Sequence, residues 1–208
     1  AVDRLGQPIG APQNAVAVIH NGEIKARYIK HHLPNYGVFD EFRNFVPGEK
    51  SVVVRINGVD VGLAICEDIW QNRGPVAELA ERNVGLVVVP NGSPYERNKD
   101  DQRLTLVQER ARGFNAALCY VNMTGGQDDL VFDGDSILVD ATGEVLMRTK
   151  QFEDQLAFHD LTLPLRTSNP DVVITEDNVA TEGTMHGGIA QRKDDLAEIW
   201  EALKAGLR

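Results

Sequence analysis

Short apolar runs joined by two-residue polar turns dominate the first third of the chain. Asn21-Gly22 and Asn57-Gly58 each separate two such runs, and Thr142-Gly143 repeats the arrangement later. Asn-Gly favours the positive φ angles of a type I′ turn, whose twist matches the strands that it joins. The pattern predicts three hairpins with strands at residues 15–20, 23–29, 51–56, 59–65, 136–140 and 144–149.

Two further runs, residues 84–91 and 116–124, are apolar at consecutive positions, which is typical of strands covered on both faces. Helical periodicity precedes each of them, over residues 74–83 and 98–118. The apolar stripe of the second helix consists of Leu104, Val107 and Ala111. Hairpins mixed with helix-separated buried strands indicate a layered α/β sandwich.

The pattern changes after residue 165. Residues 166–192 are polar and rich in turn formers, without a sustained period, which predicts a linker or an extended arm. From residue 193 an amphipathic helix follows and stops abruptly, and the sequence begins without Met in a turn-rich stretch. We therefore expect the chain to be cut at both ends.

Composition excludes several classes of function. The 208 residues are 42% hydrophobic and 25% charged, which is typical of one globular domain. The net charge of -10 argues against nucleic acid or an anionic membrane as the main partner. The sequence has neither a signal peptide nor an apolar run of about 18–20 residues, so we expect no membrane span. Cys66 and Cys119 have no zinc-type spacing, which favours two reduced thiols in a cytosolic protein.

Cys66 fits a buried structural thiol poorly. It ends an apolar run and is followed at once by Glu67 and Asp68. A thiol that enters a sharp turn is exposed, and the backbone N–H groups of such a turn can form an oxyanion hole. The acidic pair would raise the thiol pKa, so a nucleophilic Cys66 needs a nearby cation. A small core residue is the alternative.

Lys30 is the candidate cation. It follows the strand at 23–29 and opens the segment KHHLPNYGVFDE, residues 30–41. A solvated charge is the alternative interpretation. His31 and His32 suggest a metal, but adjacent residues of an extended segment point in opposite directions and no third ligand is suitably spaced. We therefore predict no metal site.

These residues together resemble a known family. Lys30, Glu41 within DEFRNFVPG and Cys66 within AICEDIW are similar to the Glu-Lys-Cys sites of the nitrilase, or carbon–nitrogen hydrolase, superfamily. KHHLPNYGVFDEFRNFVPG, CEDIW, NGSPYERNKDDQR and GGQDDLVFDGDS further resemble the glutamine-hydrolysing domains of bacterial glutamine-dependent NAD synthetases. The similarity covers roughly residues 15–165.

The resemblance implies a fold and a division of the chain. The fold is a four-layer α-β-β-α sandwich of the α/β class that lacks its N-terminal strands. Residues 1–165 would form the glutamine amidohydrolase domain, and residues 166–192 a linker or arm. Residues 193–208 would be the first helix of a synthetase domain.

The resemblance also implies the catalytic roles. Cys66 would attack the side-chain amide of L-glutamine and form a thioester. Lys30 and the backbone N–H of Glu67 would stabilise the oxyanion, and Glu41 would be a supporting carboxylate. An amide is a poor electrophile, so an activated thiolate and an oxyanion hole are needed together.

Three further residues, Tyr36, Ser93 and Lys99, match positions that hold the glutamine substrate in the family. The chemistry is reasonable, because the substrate α-carboxylate requires a cation or a hydroxyl group.

The general-base Glu of the family has no match here. Glu23 lies at a hairpin turn, in the wrong context. We expect the base to lie outside this chain and the chain alone to have weak or no glutaminase activity.

The implied cofactors and partners belong to the longer protein. ATP and Mg²⁺ would serve the synthetase domain, whose SGGxDS-type loop these residues lack, while the glutaminase step needs no cofactor. L-glutamine, the C-terminal synthetase domain and further copies of the chain are the expected partners.

Two other functions stay open, namely a free-standing nitrilase-family amidase acting on another small amide, and an inactive fragment with a structural or oligomerisation role.

GGQDDLVFDGDS carries four Asp residues but lacks the spacing of a calcium loop, which predicts two tight loops with Asp caps at the rim of the site. Cys119 is expected in the core.

Overall fold

The structure, a computed structural model, describes residues 10–177 and 184–207. In chain order the strands are β1 (Ala15–His20), β2 (Glu23–Ile29), β3 (Val52–Ile56), β4 (Val59–Leu63), β5 (Leu86–Asn91), β6 (Ala117–Asn122), β7 (Thr124–Gln127), β8 (Leu130–Asp133), β9 (Ile137–Val139), β10 (Val145–Arg148) and β11 (Val172–Val173). The α-helices are α1 (Pro75–Glu81), α2 (Lys99–Phe114) and α3 (Asp195–Ala205), and a short 3₁₀ helix spans Cys66–Trp70. Every strand and helix predicted from the pattern is confirmed, with ends that differ by a few residues.

The first two hairpins have the predicted turn chemistry. Asn21 and Gly22 have φ angles of 51° and 77°, and Asn57 and Gly58 have 50° and 77°. Positive φ at both central residues is the conformation of a type I′ turn. These turns fix the antiparallel pairings of β1 with β2 and of β3 with β4.

A seven-stranded mixed sheet organises the molecule, in the order β10-β9-β6-β5-β4-β3-β11. Its neighbouring strands β4, β5 and β6 are parallel to one another. The carboxyl ends of parallel strands meet at one edge of a sheet, and ligands bind in α/β sheets at that edge. The loops that follow β4 and β5 therefore converge.

Three of the four predicted layers are present in the described residues. Helices α1 and α2 cover one face of the large sheet, where Val87, Leu118 and Phe114 belong to the main core. The β1–β2 hairpin covers part of the other face through a second core that includes Tyr28 and Leu63. The arrangement confirms the α/β class and the layered sandwich.

The prediction that the strands at 84–91 and 116–124 are covered on both faces is confirmed only in part for the described chain. Val87 and Val89 are buried, whereas Leu86 and Val88 on the opposite face are only half-buried. Cys119, expected in the core, is likewise half-buried. The second core, under the β1–β2 layer, extends over β3 and β4 to Leu86 and Val88 of β5, whereas Val121 of β6 is 46% exposed.

The segment GGQDDLVFDGDS forms β7, β8 and their turn, so the prediction of two tight loops is wrong. Asp128 and Asp129 form the turn, with φ angles of 52° and 63°. Asp tolerates this left-handed conformation better than most residues, because its short side chain can form local hydrogen bonds. The polar composition of the segment conceals its strands.

Residues 166–192 have little regular structure in their described part, as predicted, but they are attached to the large sheet. Val172–Val173 pairs in parallel with β3, and Ile189 bridges to Arg148. Helix α3 then begins after Asp194, whose carboxylate accepts a hydrogen bond from the Ala197 N–H at 2.9 Å. The assignment of α3 to a separate synthetase domain stays a prediction.

None of the helices in the described ranges is long and apolar enough to cross a membrane. Cys66 and Cys119 are both free thiols.

The packing of α1 on the sheet predicts a loss of stability in Leu79→Ala. Leu79 is fully buried and its side chain lies over Gly62 of β4. Truncation removes apolar contacts and leaves a cavity, so we expect the free energy of unfolding to fall by about 2–5 kcal/mol. Urea denaturation followed by circular dichroism measures the change.

Leu156→Ala is the matched control, because Leu156 is 81% exposed. We expect its free energy of unfolding to stay within about 0.5 kcal/mol of the parent value. Equal losses in the two variants would contradict the placement of α1 on the core.

Candidate active site

The sharp turn after β4 presents Cys66. Its φ angle is 43°, a left-handed conformation that costs an L-residue about 1–2 kcal/mol. Cys66 is also the first residue of the 3₁₀ helix, which continues through Glu67. Because the first N–H groups of a helix have no acceptor within it, the Glu67 N–H at this turn is suited to bind an oxyanion.

Lys30 lies directly after β2 and is buried, with 2% of its surface exposed. Its Nζ donates to Glu41 Oε1 at 2.7 Å. Its backbone is fixed on both sides, because its N–H donates to the Asn14 carbonyl and its carbonyl accepts from the Gly48 N–H, both at 2.9 Å. The alternative interpretation of Lys30 as a solvated charge is therefore excluded.

Glu41 is held by its own backbone as well as by Lys30. Its N–H donates to the Pro34 carbonyl at 3.0 Å. Its carbonyl accepts from the Asn44 N–H at 3.0 Å and from the Phe45 N–H at 2.9 Å. The carboxylate is thus placed by the loop, and Lys30 is placed by the carboxylate.

One pocket of about 450 Å³ brings Lys30, Glu41 and Cys66 together. Residues from β1, from the loop before it and from the ends of β4 and β5 complete its lining: Asn14, Ala15, Val16, Ala17, Phe39, Ile65, Pro90, Asn91 and Gly92. A volume in this range suits a small-molecule ligand. Glu41 is the one carboxylate among these described lining residues.

The electrostatic environment keeps the Cys66 thiol protonated. Burial raises its pKa most, and the charges of Glu67 and Glu41 raise it further. The Lys30 ammonium and a hydrogen bond from the Gly92 backbone lower the pKa without cancelling these effects. The raising effect of Glu67 and the lowering effect of Lys30 agree with the sequence prediction, which did not include Glu41 among the groups that raise the pKa.

Asp68, which sequence reasoning did not assign to the site, ties its two halves together. Its Oδ1 accepts from the N–H groups of His31 at 3.2 Å and His32 at 2.8 Å. Its Oδ2 accepts from the Tyr28 hydroxyl at 2.8 Å and the Ile65 N–H at 3.1 Å. Burial raises the pKa of Asp68, against the lowering effect of these hydrogen bonds.

The two histidines turn towards each other, so the prediction that they point in opposite directions is wrong. Their rings pack edge to face with centroids 4.5 Å apart. His31 Nδ1 donates to the Gly48 carbonyl at 2.6 Å, and His32 Nε2 donates to the Arg73 carbonyl at 3.0 Å. Both backbone N–H groups bind the same oxygen of Asp68, Oδ1.

No cluster of three or more His, Cys, Asp or Glu side chains suited to a metal ion occurs among residues 10–177 and 184–207.

Tyr36 and Lys99 do not line the pocket but lie on one rim beside it. The Tyr36 hydroxyl donates to Glu67 Oε2 at 2.7 Å, and partial desolvation of the hydroxyl together with this bond raises the pKa of Tyr36. Lys99 forms an ion pair with Glu96, whose charge also acts on Tyr36. Tyr36 is 59% exposed, so this rim faces solvent.

Ser93 follows Gly92 and is buried within a second polar network. Its N–H donates to Asn122 Oδ1 at 2.9 Å, and its carbonyl accepts from Arg103 at 3.0 Å. Arg103 is itself fully buried and binds both carboxylate oxygens of Asp133, at 2.7 Å and 2.6 Å. The network fixes the loop after β5.

Sequence reasoning missed Arg103 and misjudged Asp133. The predicted buried stripe of α2 consisted of apolar residues, yet Arg103 is part of its buried face. Asp133 was expected to cap a tight loop, whereas it ends β8 and neutralises this arginine. The pairing depends on the meeting of α2 with β8, which no local pattern shows.

Glu23, the other carboxylate weighed from the sequence, is exposed and forms an ion pair with Lys25 at the β1–β2 turn. It does not line the pocket, which agrees with its rejection as the base.

Comparisons with known proteins agree with this geometry. A sequence model of the carbon–nitrogen hydrolase family matches residues 10–170. The glutamine-dependent NAD(+) synthetase of Xylella fastidiosa (strain Temecula1) is 38% identical over 214 residues, with 96% of this chain covered. The chain spans 39% of the length of that relative.

Two solved structures are also similar. The glutamine-dependent NAD+ synthetase of Acinetobacter baumannii in complex with ADP has a TM-score of 0.77 and 34% identity, and the match covers 93% of this chain and 34% of that one. A variant of the Nesterenkonia AN1 amidase from the nitrilase superfamily has a TM-score of 0.55 and 31% identity, and covers 64% of this chain and 48% of that one.

The proximity of Lys30 to Cys66 predicts a slower reaction of the thiol in Lys30→Met. Loss of the ammonium raises the thiol pKa further, so less thiolate is present at pH 8. We expect the rate of alkylation by iodoacetamide to fall by about 10-fold, which corresponds to about one pKa unit. Both proteins carry Cys119→Ala, so that Cys66 is the one thiol, and mass spectrometry measures the alkylated fraction over time.

Lys25→Met is the matched control, because Lys25 lies on β2, the strand that leads to Lys30, but pairs with Glu23 away from the pocket. We expect its alkylation rate to equal that of the parent. Equal rates in Lys30→Met and the parent would show that Lys30 does not act on the thiol.

Proposed function

The chain belongs to the carbon–nitrogen hydrolase family, and from that membership we propose that it is the glutamine-hydrolysing part of a glutamine-dependent NAD synthetase. The observation that carries the proposal is the pairing of the buried Lys30 with Glu41 in one pocket with the Cys66 thiol. The extent of the likeness to the two NAD synthetases supports glutamine as the substrate.

The reaction proceeds through a thioester. The Cys66 sulfur attacks the side-chain carbonyl carbon of L-glutamine, and the carbonyl oxygen becomes an oxyanion. The Lys30 ammonium and the Glu67 N–H stabilise that charge where it develops. Collapse of the tetrahedral adduct breaks the C–N bond, and the nitrogen leaves as ammonia with the proton that the thiol gave up. Water then hydrolyses the thioester to glutamate and restores the free thiol.

Removal of the thiol proton is the step for which the described residues supply no separate group. The raised pKa of Cys66 makes the thiol its resting form. Glu41 is committed to Lys30 and acts as a supporting carboxylate that keeps the ammonium in place. Hydrolysis that relies on the described residues alone is therefore slow.

The rim beside the pocket binds the amino-acid end of the substrate. Lys99, now paired with Glu96, supplies the cation for the α-carboxylate, and Glu96 is free to take the α-ammonium when the pair separates. Tyr36 lies beside the turn of Cys66, because its hydroxyl donates to Glu67. Ser93 lies beside the loop after β5, because it directly follows Gly92 of the pocket lining. These are the binding roles that we assign to Tyr36, Ser93 and Lys99.

The ammonia passes to a synthetase domain that α3 begins, where it amidates nicotinic acid adenine dinucleotide to NAD. ATP and Mg²⁺ serve that domain, and the glutaminase step uses no cofactor. The protein acts in the cytoplasm as a homo-oligomer.

An amidase acting on another small amide is the second candidate function. The structural similarity to the Nesterenkonia amidase favours this second function. The same fold occurs in that amidase and in the NAD synthetases, so the fold does not by itself decide between the two substrates.

Ammonia release from L-glutamine tests the nucleophile and the missing base together. We expect a slow release that rises about 10-fold per pH unit between pH 7 and pH 9, because the thiolate fraction rises with pH below the raised pKa. Cys66→Ala abolishes the release, and Cys119→Ala, the matched cysteine control, retains it. Undiminished release in Cys66→Ala would refute the nucleophile, and fast, pH-independent release would refute the missing base.

Protection of Cys66 from iodoacetamide distinguishes the two substrates without requiring turnover. We expect L-glutamine to slow alkylation, and L-asparagine and propionamide at the same concentration to leave it unchanged, because glutamine alone spans the pocket and its charged rim. Equal protection by propionamide would favour the small-amide amidase instead.

A further inference from the structure

We propose that Asp68 is a positioning residue that fixes the Lys30 ammonium against the Cys66 thiol. The role of this positioning in catalysis rests on the proposed function. Asp68 touches neither the thiol nor the ammonium in the contacts described above, and it acts through the backbone segments that carry them.

The carboxylate joins two segments that are distant in sequence. One oxygen binds the N–H groups of His31 and His32, the two residues that follow Lys30. The other oxygen binds the N–H of Ile65, the residue before Cys66. Each functional side chain is therefore one residue away from a hydrogen bond to the same carboxylate.

All four partners of the carboxylate act as donors, which makes the position specific for an ionised acid. A carboxylate accepts at both oxygens, whereas the amide of an asparagine accepts at one side and donates at the other. In Asp68→Asn the amide NH₂ would face either the two histidine N–H groups or the Ile65 N–H. Backbone N–H groups cannot accept a hydrogen bond, so the amide NH₂ of the asparagine would face another donor. The side-chain volume stays nearly constant.

Water cannot replace the lost bonds. Asp68 and Tyr28 are both fully buried, and Lys30 is buried beside them. Buried polar groups that lose a partner remain unpaired unless the chain moves. The segments that carry Lys30 and Cys66 would therefore separate.

The thiol reports this separation, because Lys30 is the group whose charge lowers its pKa. The other titratable groups that act on Cys66 come from the loop before β3, the 3₁₀ helix and β6. They are Glu41, Tyr36, Glu67 and Tyr120. None of these four groups is a cation, so Lys30 supplies the positive charge that lowers the thiol pKa. Moving Lys30 away from Cys66 therefore moves the pH midpoint of alkylation upwards.

The experiment measures alkylation of Cys66 by iodoacetamide against pH in the 208-residue chain with Cys119→Ala. We expect Asp68→Asn to move the midpoint up by about 0.5–1 pH unit. A carboxylate acting only through its charge would give the opposite sign, because its removal would lower the midpoint. Tyr28→Phe, which removes one of the four donors, moves the midpoint in the same direction by a smaller amount.

A double-mutant cycle with Lys30→Met tests the route of the effect. If Asp68 acts through Lys30, Asp68→Asn adds little to the midpoint of the Lys30→Met variant. A shift that persists in full in that background would overturn the proposal, as would an unchanged or lowered midpoint in folded Asp68→Asn. Should Asp68→Asn fail to fold, an unchanged midpoint in Tyr28→Phe overturns it instead.

Asp60→Asn is the matched control, because Asp60 is another fully buried aspartate, on β4, bound to Arg55 and to the Ser168 N–H. We expect it to destabilise the fold without moving the midpoint, and an equal shift would reduce Asp68 to a general structural role. Alkylation needs no glutamine, so a shift in Asp68→Asn supports the positioning role even if L-glutamine neither reacts nor protects. In that case only the proposed function fails.

Discussion

The burial of the Lys30 ammonium is the constraint on which the site depends. Removing a charge from water costs several kcal/mol unless a partner and hydrogen bonds compensate it. Glu41 supplies the charge, and its own backbone bonds hold it at the required place. The chain must also pass very close to Lys30: a Cβ at Gly48 would lie 2.2 Å from the Ile29 carbonyl oxygen, so only glycine fits there.

Two buried polar networks transmit this requirement to the rest of the pocket. Asp68 connects the Lys30 segment to the turn of Cys66, and thereby supports the left-handed backbone of that cysteine. Arg103 and Asp133 hold the loop that follows Gly92 on the neighbouring strand. A buried carboxylate that accepts four hydrogen bonds, as Asp68 does, stabilises one arrangement of the segments around it, which suits a site that needs fixed distances.

The parallel sheet explains why these networks meet. Strands β4 and β5 run in the same direction, so their carboxyl ends place the turn of Cys66 beside the loop of Gly92. The β1–β2 hairpin then adds Lys30 from the second layer. Three segments that are distant in sequence thus converge on one pocket at the edge of the sheet.

Local patterns predicted the elements of the fold well, because Asn-Gly turns and apolar periodicity are properties of neighbouring residues. The β7–β8 hairpin was missed because Asp128 and Asp129 replace the usual turn glycine. The pairing of Lys30 with Cys66 was argued from the residues, because a thiol beside two acidic residues needs a cation, whereas Glu41 joined them only through the resemblance to a family. Asp68 and Arg103 could not be found in this way, because their burial is decided by how the layers meet.

The charges around the thiol bear on the order of events in catalysis. Cys66 is influenced by one cation, Lys30, and by two carboxylates, Glu41 and Glu67, within a buried environment. This balance favours the neutral thiol, so the ammonium does not keep a standing thiolate at rest. In the proposed reaction the ammonium is better suited to the oxyanion, which carries its negative charge only after the attack and meets a cation that is already in place. On that proposal the described residues stabilise charge that develops on the substrate, and removal of the thiol proton is a separate requirement.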